Sequence, residues 1–283
     1  MPPQKRVLLP NGCYAYEDTP NSADILYQQV LEYFDQGLDV MEGMTVFDVG
    51  ANVGLFALEA LYRTNGRIRI FCFEPAPAAF GCLRRSLTEQ FAKSDIKALN
   101  VGLSSSPGHA TLFYRRQASA MSSFDAECVL TEEDMRRLAS TAASTEIPRE
   151  YRRRVPWWFA WLPNSIRRLA IRHTMRRVVA DVEPVTCELT TLGDVIREHD
   201  VARIDVLKID VEGAEWEVLQ GVGPDDWPKI RSLAIEVHDI HDRLRQVENL
   251  LQERGFTDLR IEQEAIFRGT SVFGVCGFRN AAD

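Results

Sequence analysis

"MTVFDVGANVGLFALEAL", residues 44–61, passes from an apolar strand-like stretch through an acidic residue and a glycine turn into a segment whose apolar residues recur at helical spacing. Strand, turn and helix in that order make the first part of a βαβ unit, so the fold depends on whether the pattern repeats. "IRIFCF" (68–73) and "IKALNV" (96–101) read as further strands, and "GLFALEALYRT" and "PAAFGCLRRSLTEQFA" place apolar residues three and four apart between them. The alternation stops from about residue 115 to 185, then resumes with "TTLGDVIREH", "IDVLKID", "GAEWEVLQGV" and "IRSLAIEVH". A helix over 242–255 with Gly255 as its C-cap is followed by "FTDLRIEQ" and "TSVFGVCGF", which suit an antiparallel pair at a sheet edge. Upstream, "NSADILYQQVLEYFDQG" predicts a capped amphipathic helix leading into the first strand. These readings predict an α/β fold with a doubly wound, mostly parallel sheet. The expected organisation is a single domain over 1–283, with an N-terminal strand and helix segment over 1–43 and a helical insertion over 115–185.

The 283 residues are 45% hydrophobic and 26% charged, the balance of an ordinary globular protein with a large core. No apolar run approaches the roughly 18 residues of a membrane span. The first residues lack a sustained apolar h-region, so no secretory signal is expected and cytoplasmic is the expected location. Cys13, Cys72, Cys82, Cys128, Cys187 and Cys276 form no CxxC pair and no cluster with histidine. Buried reduced thiols are expected rather than zinc ligands. A net charge of −8 argues against general nucleic-acid binding.

A glycine turn after the first strand lies at the carboxyl edge of the sheet, where a helix N-terminus offers unpaired N–H groups to a ligand. The dinucleotide fingerprint G-x-G-x-x-G fails twice here, with Asn52 at its second glycine position and Leu55 at its third. A phosphate-cradling P-loop fails too, because the segment has no lysine. What remains is D-x-G-x-x-x-G, made by Asp48, Gly50 and Gly54, with Asn52 suited to a left-handed backbone. A carboxylate at Asp48 welcomes an ammonium and repels a pyrophosphate. S-adenosylmethionine therefore suits the turn better than NAD, although a glycine turn also serves simply to pack a helix on a strand. Glu74, at the next strand end, is placed to accept ribose hydroxyl hydrogens.

"IDVLKIDVEGAEWEVL" (204–219) holds the second acidic cluster, with Lys208, Asp210, Glu212 and Glu215. One reading makes Glu215 and Glu217 solvated helix positions and Lys208 a structural partner of an acidic neighbour. Asp210 ends the strand that resumes the parallel pattern and is expected to face the crevice opposite Asp48. In "LAIEVHDIHDR" (233–243), Glu236 and His238 alternate by two and share a side of the strand end. His238 is the candidate general base, and Asp210, Glu212 and Glu236 are its candidate catalytic companions. Asp210, Glu236 and His238 also suit a hard cation such as Mg2+, but their spacing demands none, and no metal ligand is assigned.

"FDVGANVGLFAL", "FEPAPAAF", "NVGLSS", "LTTLGDVI" and "LKIDVEGAEWEVLQG", in this order, resemble the FkbM family of S-adenosylmethionine-dependent methyltransferases, over about residues 40–280 apart from the middle. "LPNG", "AMSSF" and "WPKIRSLAIEVHDI" are especially similar to the O-methyltransferase domains of polyketide and nonribosomal-peptide assembly lines. The resemblance implies the class I, Rossmann-like methyltransferase fold with seven strands, the last antiparallel. It also implies S-adenosylmethionine as cofactor and a hydroxyl of a small-molecule natural product as acceptor, free or tethered to an acyl or peptidyl carrier protein. A sugar or lipid hydroxyl is the alternative acceptor, and a non-catalytic binding module the alternative function. By motif, Asp48, Gly50, Ala51, Asn52 and Gly54 would hold the methionine part, Glu74 the ribose, and Asn100 and Gly102 the adenine side. Asp210 and Glu212 would border the methyl group and acceptor.

The middle segment departs from this pattern. Between Arg149 and Arg177 there are nine arginines and one acidic residue, Glu150, with Trp157, Trp158 and Trp161 among them. Its readings rank as a lid over the acceptor, then a docking surface for an acidic carrier protein, then a membrane-interface helix. A solvated charged face on a helical cap is the simplest alternative. A nucleic-acid methyltransferase ranks low, because the strand end reads "DVEG" where base-amino methylation uses D/N-P-P-Y/F.

Overall fold

The computed structural model describes residues 4–19, 22–125, 132–143, 159, 161–264 and 267–279. Strands β1 (Lys5–Leu8) and β2 (Tyr14–Glu17) pair antiparallel and lead to helix α1 (Ala23–Asp35). The expected side-chain cap on α1 is absent, since the Ser22 hydroxyl donates instead to the Thr19 carbonyl at 2.9 Å. The buried Glu17 carboxylate accepts the Ala23 N–H at 3.4 Å in its place.

The βαβ alternation then begins with β3 (Thr45–Val49), α2 (Leu55–Arg63), β4 (Arg69–Phe73), α3 (Pro77–Gln90) and β5 (Asp95–Leu99). A separate three-stranded sheet collects β6 (Gly102–Leu103), β7 (Gly108–Arg115) and β8 (Val182–Thr190). Between β7 and β8 lie α4 (Glu132–Ala143) and α5 (Asn164–Ala180), packed on each other. The chain returns to the main sheet through α6 (Leu192–Glu198), β9 (Ile204–Ile209), α7 (Glu215–Gln220), β10 (Ile230–His238), α8 (Arg243–Glu253), β11 (Asp258–Glu262) and β12 (Val272–Phe278).

The main sheet has seven strands in the order β11-β12-β10-β9-β3-β4-β5, with β10, β9, β3, β4 and β5 parallel and β12 antiparallel to both neighbours. The α/β, doubly wound architecture with an antiparallel last strand is the one expected. The final two strands form the antiparallel pair expected at the sheet edge, with β11 outermost and β12 between it and β10. Burial gives the reason. Val275 and Cys276 of β12 are fully buried, whereas β11 is mostly exposed and tolerates the edge.

Period-two alternation divides the core between the two faces. Val46, Ile70, Cys72 and Val206 pack with α1, α2 and α3, while Phe47, Phe71, Phe73, Leu207 and Ile235 pack with α6, α7 and α8. Because β3 sits centrally, with β4 on one side and β9 on the other, chain order reverses direction at its carboxyl end and opens a crevice there.

The break expected over 115–185 is carried by a β-ribbon, since β7 and β8 pair from Gly108↔Leu189 to Arg115↔Val182. Residues 182–185 are therefore strand rather than insertion. Pro184 concealed the strand; it is tolerated because β6 reaches only Leu189 and Thr190, so that among the described residues no strand pairs with β8 on its other side at Pro184. On α5, Ile166 and Leu169 are exposed and Arg167 is buried against Asn164. Arg149, Arg152, Arg153, Arg154, Trp157 and Trp158 lie outside the described residues.

Candidate active site

A cavity of about 300 Å³ opens at the carboxyl ends of β3, β4, β9 and β10. Gly50, Ala51, Asn52, Glu74 and Gly102 line it from the β3–β4 side, and Asp210, Glu212 and Glu236 from the β9–β10 side. Leu26, Val30 and Tyr33 of α1, together with Phe124 and Phe267, supply apolar walls. Asp48, Gly54, Asn100 and His238 do not line it. Residues Ser119 to Ser122 close over it from the end of β7, and the Ser123 hydroxyl fastens this segment to the Glu212 carbonyl at 2.6 Å. Among the described residues, none of α5 lines the cavity.

The turn after β3 is shaped by its neighbours. Gly50 has φ +74°, and a Cβ there would stand 1.8 Å from the Asp210 carbonyl oxygen. Only glycine lets the turns after β3 and β9 approach this closely. Asn52, at φ +48°, directs its N–H to Glu74 Oε2 at 2.8 Å, and the Ala76 N–H reaches Oε1 at 2.8 Å. Both oxygens of Glu74 are thus fixed, and each retains acceptor capacity. Burial pushes its pKa up to about 7, against the pull of those N–H groups. Asn100 braces this turn from behind, its amide donating to the Glu74 carbonyl at 2.7 Å and the Pro75 carbonyl at 3.1 Å. Gly102 closes the wall, since a Cβ there would meet Leu189 at 2.8 Å and Phe124 at 3.0 Å.

Two residues picked out by the glycine motif lie behind this surface. Gly54, at φ +91°, packs against Leu83 of α3, where a Cβ would come within 2.6 Å of Cδ1. Asp48 is fully buried, and its register partner on β9 is Lys208, whose Nζ is 3.3 Å away. The expectation that Asp48 presents a free carboxylate to a ligand ammonium is therefore corrected: a protein ammonium already occupies that place. Lys208 also lies 3.4 Å from Asp210 and donates to the Gly50 carbonyl at 2.9 Å, tying both acidic strand ends to the glycine turn. Burial alone would lower the lysine pKa, but Asp210 and Asp48 outweigh it and hold Lys208 cationic. Burial raises the Asp48 carboxyl, and Lys208 limits the rise.

The second cluster centres on His238. Its Nε2 lies 3.3 Å from Glu212 and 4.0 Å from Glu236, while Nδ1 lies 3.3 Å from Glu215. Glu215 is 1% exposed, so the solvated-helix reading fails for it. The signal that could have found it is its place two residues after Gly213, whose N–H it accepts at 2.7 Å. Burial would lower the His238 pKa, but Glu212 and Glu215 raise it well above the ordinary value. The two carboxylates thus favour the protonated imidazole, against the pull of burial. Burial, Asp210 and Glu212 push the Glu236 carboxyl well up.

The pattern described as "Methyltransferase FkbM domain" matches residues 48–257. The chain is 32% identical over 276 residues to the 31-O-demethyl-FK506 methyltransferase FkbM of Streptomyces tacrolimicus, covering 96% of each chain. It is 32% identical over 227 residues to the methyltransferase sdnD of Sordaria araneosa, covering 77% of this chain and 76% of that one. It is also 28% identical to a segment of the AMB antimetabolite synthetase AmbE of Pseudomonas aeruginosa, with 96% of this chain aligned to 12% of that protein.

Proposed function

The chain belongs to the FkbM methyltransferase family, and from that premise we propose that it is an S-adenosylmethionine-dependent O-methyltransferase of a small-molecule natural product. The observation that carries this reading is the charge of the cavity. Glu74, Asp210, Glu212 and Glu236 line it, whereas the lining cation, Lys208, is already engaged by Asp48 and Asp210. Such a site favours a cationic ligand and disfavours a pyrophosphate. The donor, with its ammonium and sulfonium, fits that demand.

Glu74 would hold the ribose, the Gly50–Asn52 turn the methionine part, and Asp210 the ammonium in place of the buried Asp48. When bound, the donor supplies a methyl group activated as a sulfonium, so that transfer breaks a C–S bond, forms an O–C bond and releases the hydroxyl proton. The chain must position the acceptor oxygen, keep water out and accept that proton. Leu26, Val30, Tyr33 and Phe267 give the acceptor an apolar bed, and Glu212 and Glu236, with His238 behind them, supply its polar side. The alignment of this chain to a segment of an antimetabolite synthetase supports a natural-product acceptor.

The direct test is methyl transfer, followed by mass, over free and carrier-tethered hydroxyl acceptors. Glu236→Gln is expected to lower kcat by ~10²-fold or more while leaving donor affinity unchanged. Wild-type turnover in that variant would remove Glu236 from the reaction.

Donor affinity has a pH signature. A ribose that donates to Glu74 needs the carboxylate, so affinity is expected to be flat above about pH 7 and to fall about tenfold per unit below it. For the ligand-free chain the sign is opposite: a carboxyl whose folded pKa is raised from 4.5 to about 7 stabilises the fold at low pH and loses that contribution as pH rises through this window. Calorimetric titration with S-adenosylhomocysteine checks this, and Glu74→Gln should weaken binding at pH 8 and flatten the profile. A variant with unchanged affinity and profile would show that Glu74 does not hold the donor.

A further inference from the structure

We infer that Glu212, Glu236 and His238 form a binding site for one divalent transition-metal cation at the acceptor end of the cavity. One ligand atom from each residue lies within 4.8 Å of the others, close enough for a single ion to reach all three. The residues come from two adjacent places at the same sheet edge. Glu236 and His238 alternate at the end of β10, and Glu212 occupies the turn that follows β9. A nitrogen and two carboxylates suit Mn2+, Fe2+, Co2+ or Zn2+ better than Mg2+, which takes oxygen ligands.

The imidazole is aimed for this task by a residue outside the set. Glu215 Oε1 faces His238 Nδ1 at 3.3 Å, which leaves Nε2 as the ring atom directed at Glu212 and Glu236. A carboxylate behind the second ring nitrogen is the arrangement that fixes a metal-bound histidine and raises its basicity. Glu215 is itself anchored by the Gly213 N–H, and its other oxygen is buried with no hydrogen-bond partner among the described residues. Three carboxylates surround one imidazole here, and the neighbouring cation Lys208 is committed to Asp48 and Asp210. A divalent cation placed among these carboxylates would favour their ionised forms, which burial opposes.

Glu212 and Glu236 also line the cavity, so the open positions of the ion face the acceptor. A coordinated hydroxyl would be oriented and made more acidic there. That role in the reaction rests on the methyl-transfer reading, whereas binding of the ion does not.

The test uses the whole chain, treated with chelator, desalted and titrated with Mn2+. Binding is read from loss of the free-ion electron paramagnetic resonance signal and by calorimetry. One Mn2+ per chain is expected, with binding lost in Glu236→Gln and His238→Ala and weakened ~10–100-fold in Glu215→Gln. Glu217→Gln, on the same helix but outside the cluster, should bind as the wild type does. Absence of stoichiometric Mn2+ binding to the wild type overturns the site, as does wild-type affinity in Glu236→Gln and His238→Ala. S-adenosylhomocysteine binding, measured in parallel, shows that each variant is folded. It also separates the two ideas: Mn2+ binding without it would keep the cation site and sink the transferase reading, and the converse would do the opposite.

Discussion

Gly50→Ala is expected to abolish donor binding and to lower the melting temperature on the order of 10 °C. Two costs add. The backbone at φ +74° is left-handed, which penalises any residue with a Cβ by about 1–2 kcal/mol. The new methyl would also stand 1.8 Å from the Asp210 carbonyl oxygen, a backbone atom that cannot rotate away. Overpacking of this kind costs about 1–3 kcal/mol after the surroundings shift. For a chain of this size each kcal/mol corresponds to about 2–4 °C. The shift matters more than the energy, because the β9 turn that must move carries Asp210 and Glu212. The β3 and β9 sides of the cavity would come apart.

Gly54→Ala is the informative comparison. Its φ of +91° carries the same backbone penalty, but its Cβ would meet Cδ1 of Leu83, the mobile end of a side chain, and it lies behind the cavity wall. This variant should lose stability and keep donor affinity. Melting curves and S-adenosylhomocysteine titrations of both variants decide the matter, and wild-type affinity in Gly50→Ala would show that the close approach of the two turns is unimportant for binding.

Lys208→Met should be the most destabilising single change to a charged residue of the site. It leaves Asp48 fully buried without a cation, and removal of one partner from a buried pair costs about 3–5 kcal/mol. Asp210 suffers less, because its carboxylate is 30% exposed and can be solvated. The pH dependence follows from sign. Without Lys208 the main limit on the rise that burial imposes on the Asp48 carboxyl is gone. A carboxyl with a raised folded pKa favours the fold while protonated, so the variant should approach wild-type stability in acid and fall away as pH rises. Adding Asp48→Asn should recover most of the loss and remove that slope. Denaturant unfolding of the wild type and the single and double variants at several pH values measures each part. A double variant no more stable than Lys208→Met would mean that Asp48 is not the group left uncompensated.

Much of this site was legible in the chain because strand ends announce themselves locally. Gly50, Asn52 and Glu74 follow apolar runs directly, and the crevice lies where such runs end in a parallel sheet. Glu236 and His238 could be placed on one side of a strand by their spacing of two. Other features had no local signal. β8 is interrupted by Pro184 and has a single fully buried residue, Cys187, so it lacks the apolar run by which a strand is found, and it exists because β7 lies beside it. The wall formed by Leu26, Val30 and Tyr33 depends on where α1 docks. Glu215 and Glu217 are near neighbours on one short helix, and only the packing of α7 beneath β10 separates a buried anchor from a half-buried side chain.

The sequence by itself determined the βαβ alternation, the edge of the sheet that carries the chemistry, and the family. These follow from periodicity and from residue types within windows of ten to twenty positions, where local geometry dictates which side chains share a face. Only the tertiary structure decided which carboxylates are available to a ligand. Asp48 looked free because its partner is distant in the chain, and the parallel register of β3 with β9 sets Lys208 beside it. The same packing set His238 between Glu212 and Glu215, whose carboxylates favour its protonated form. Periodicity assigns a residue to a face, but the charge state of that residue is set by what another strand brings against it.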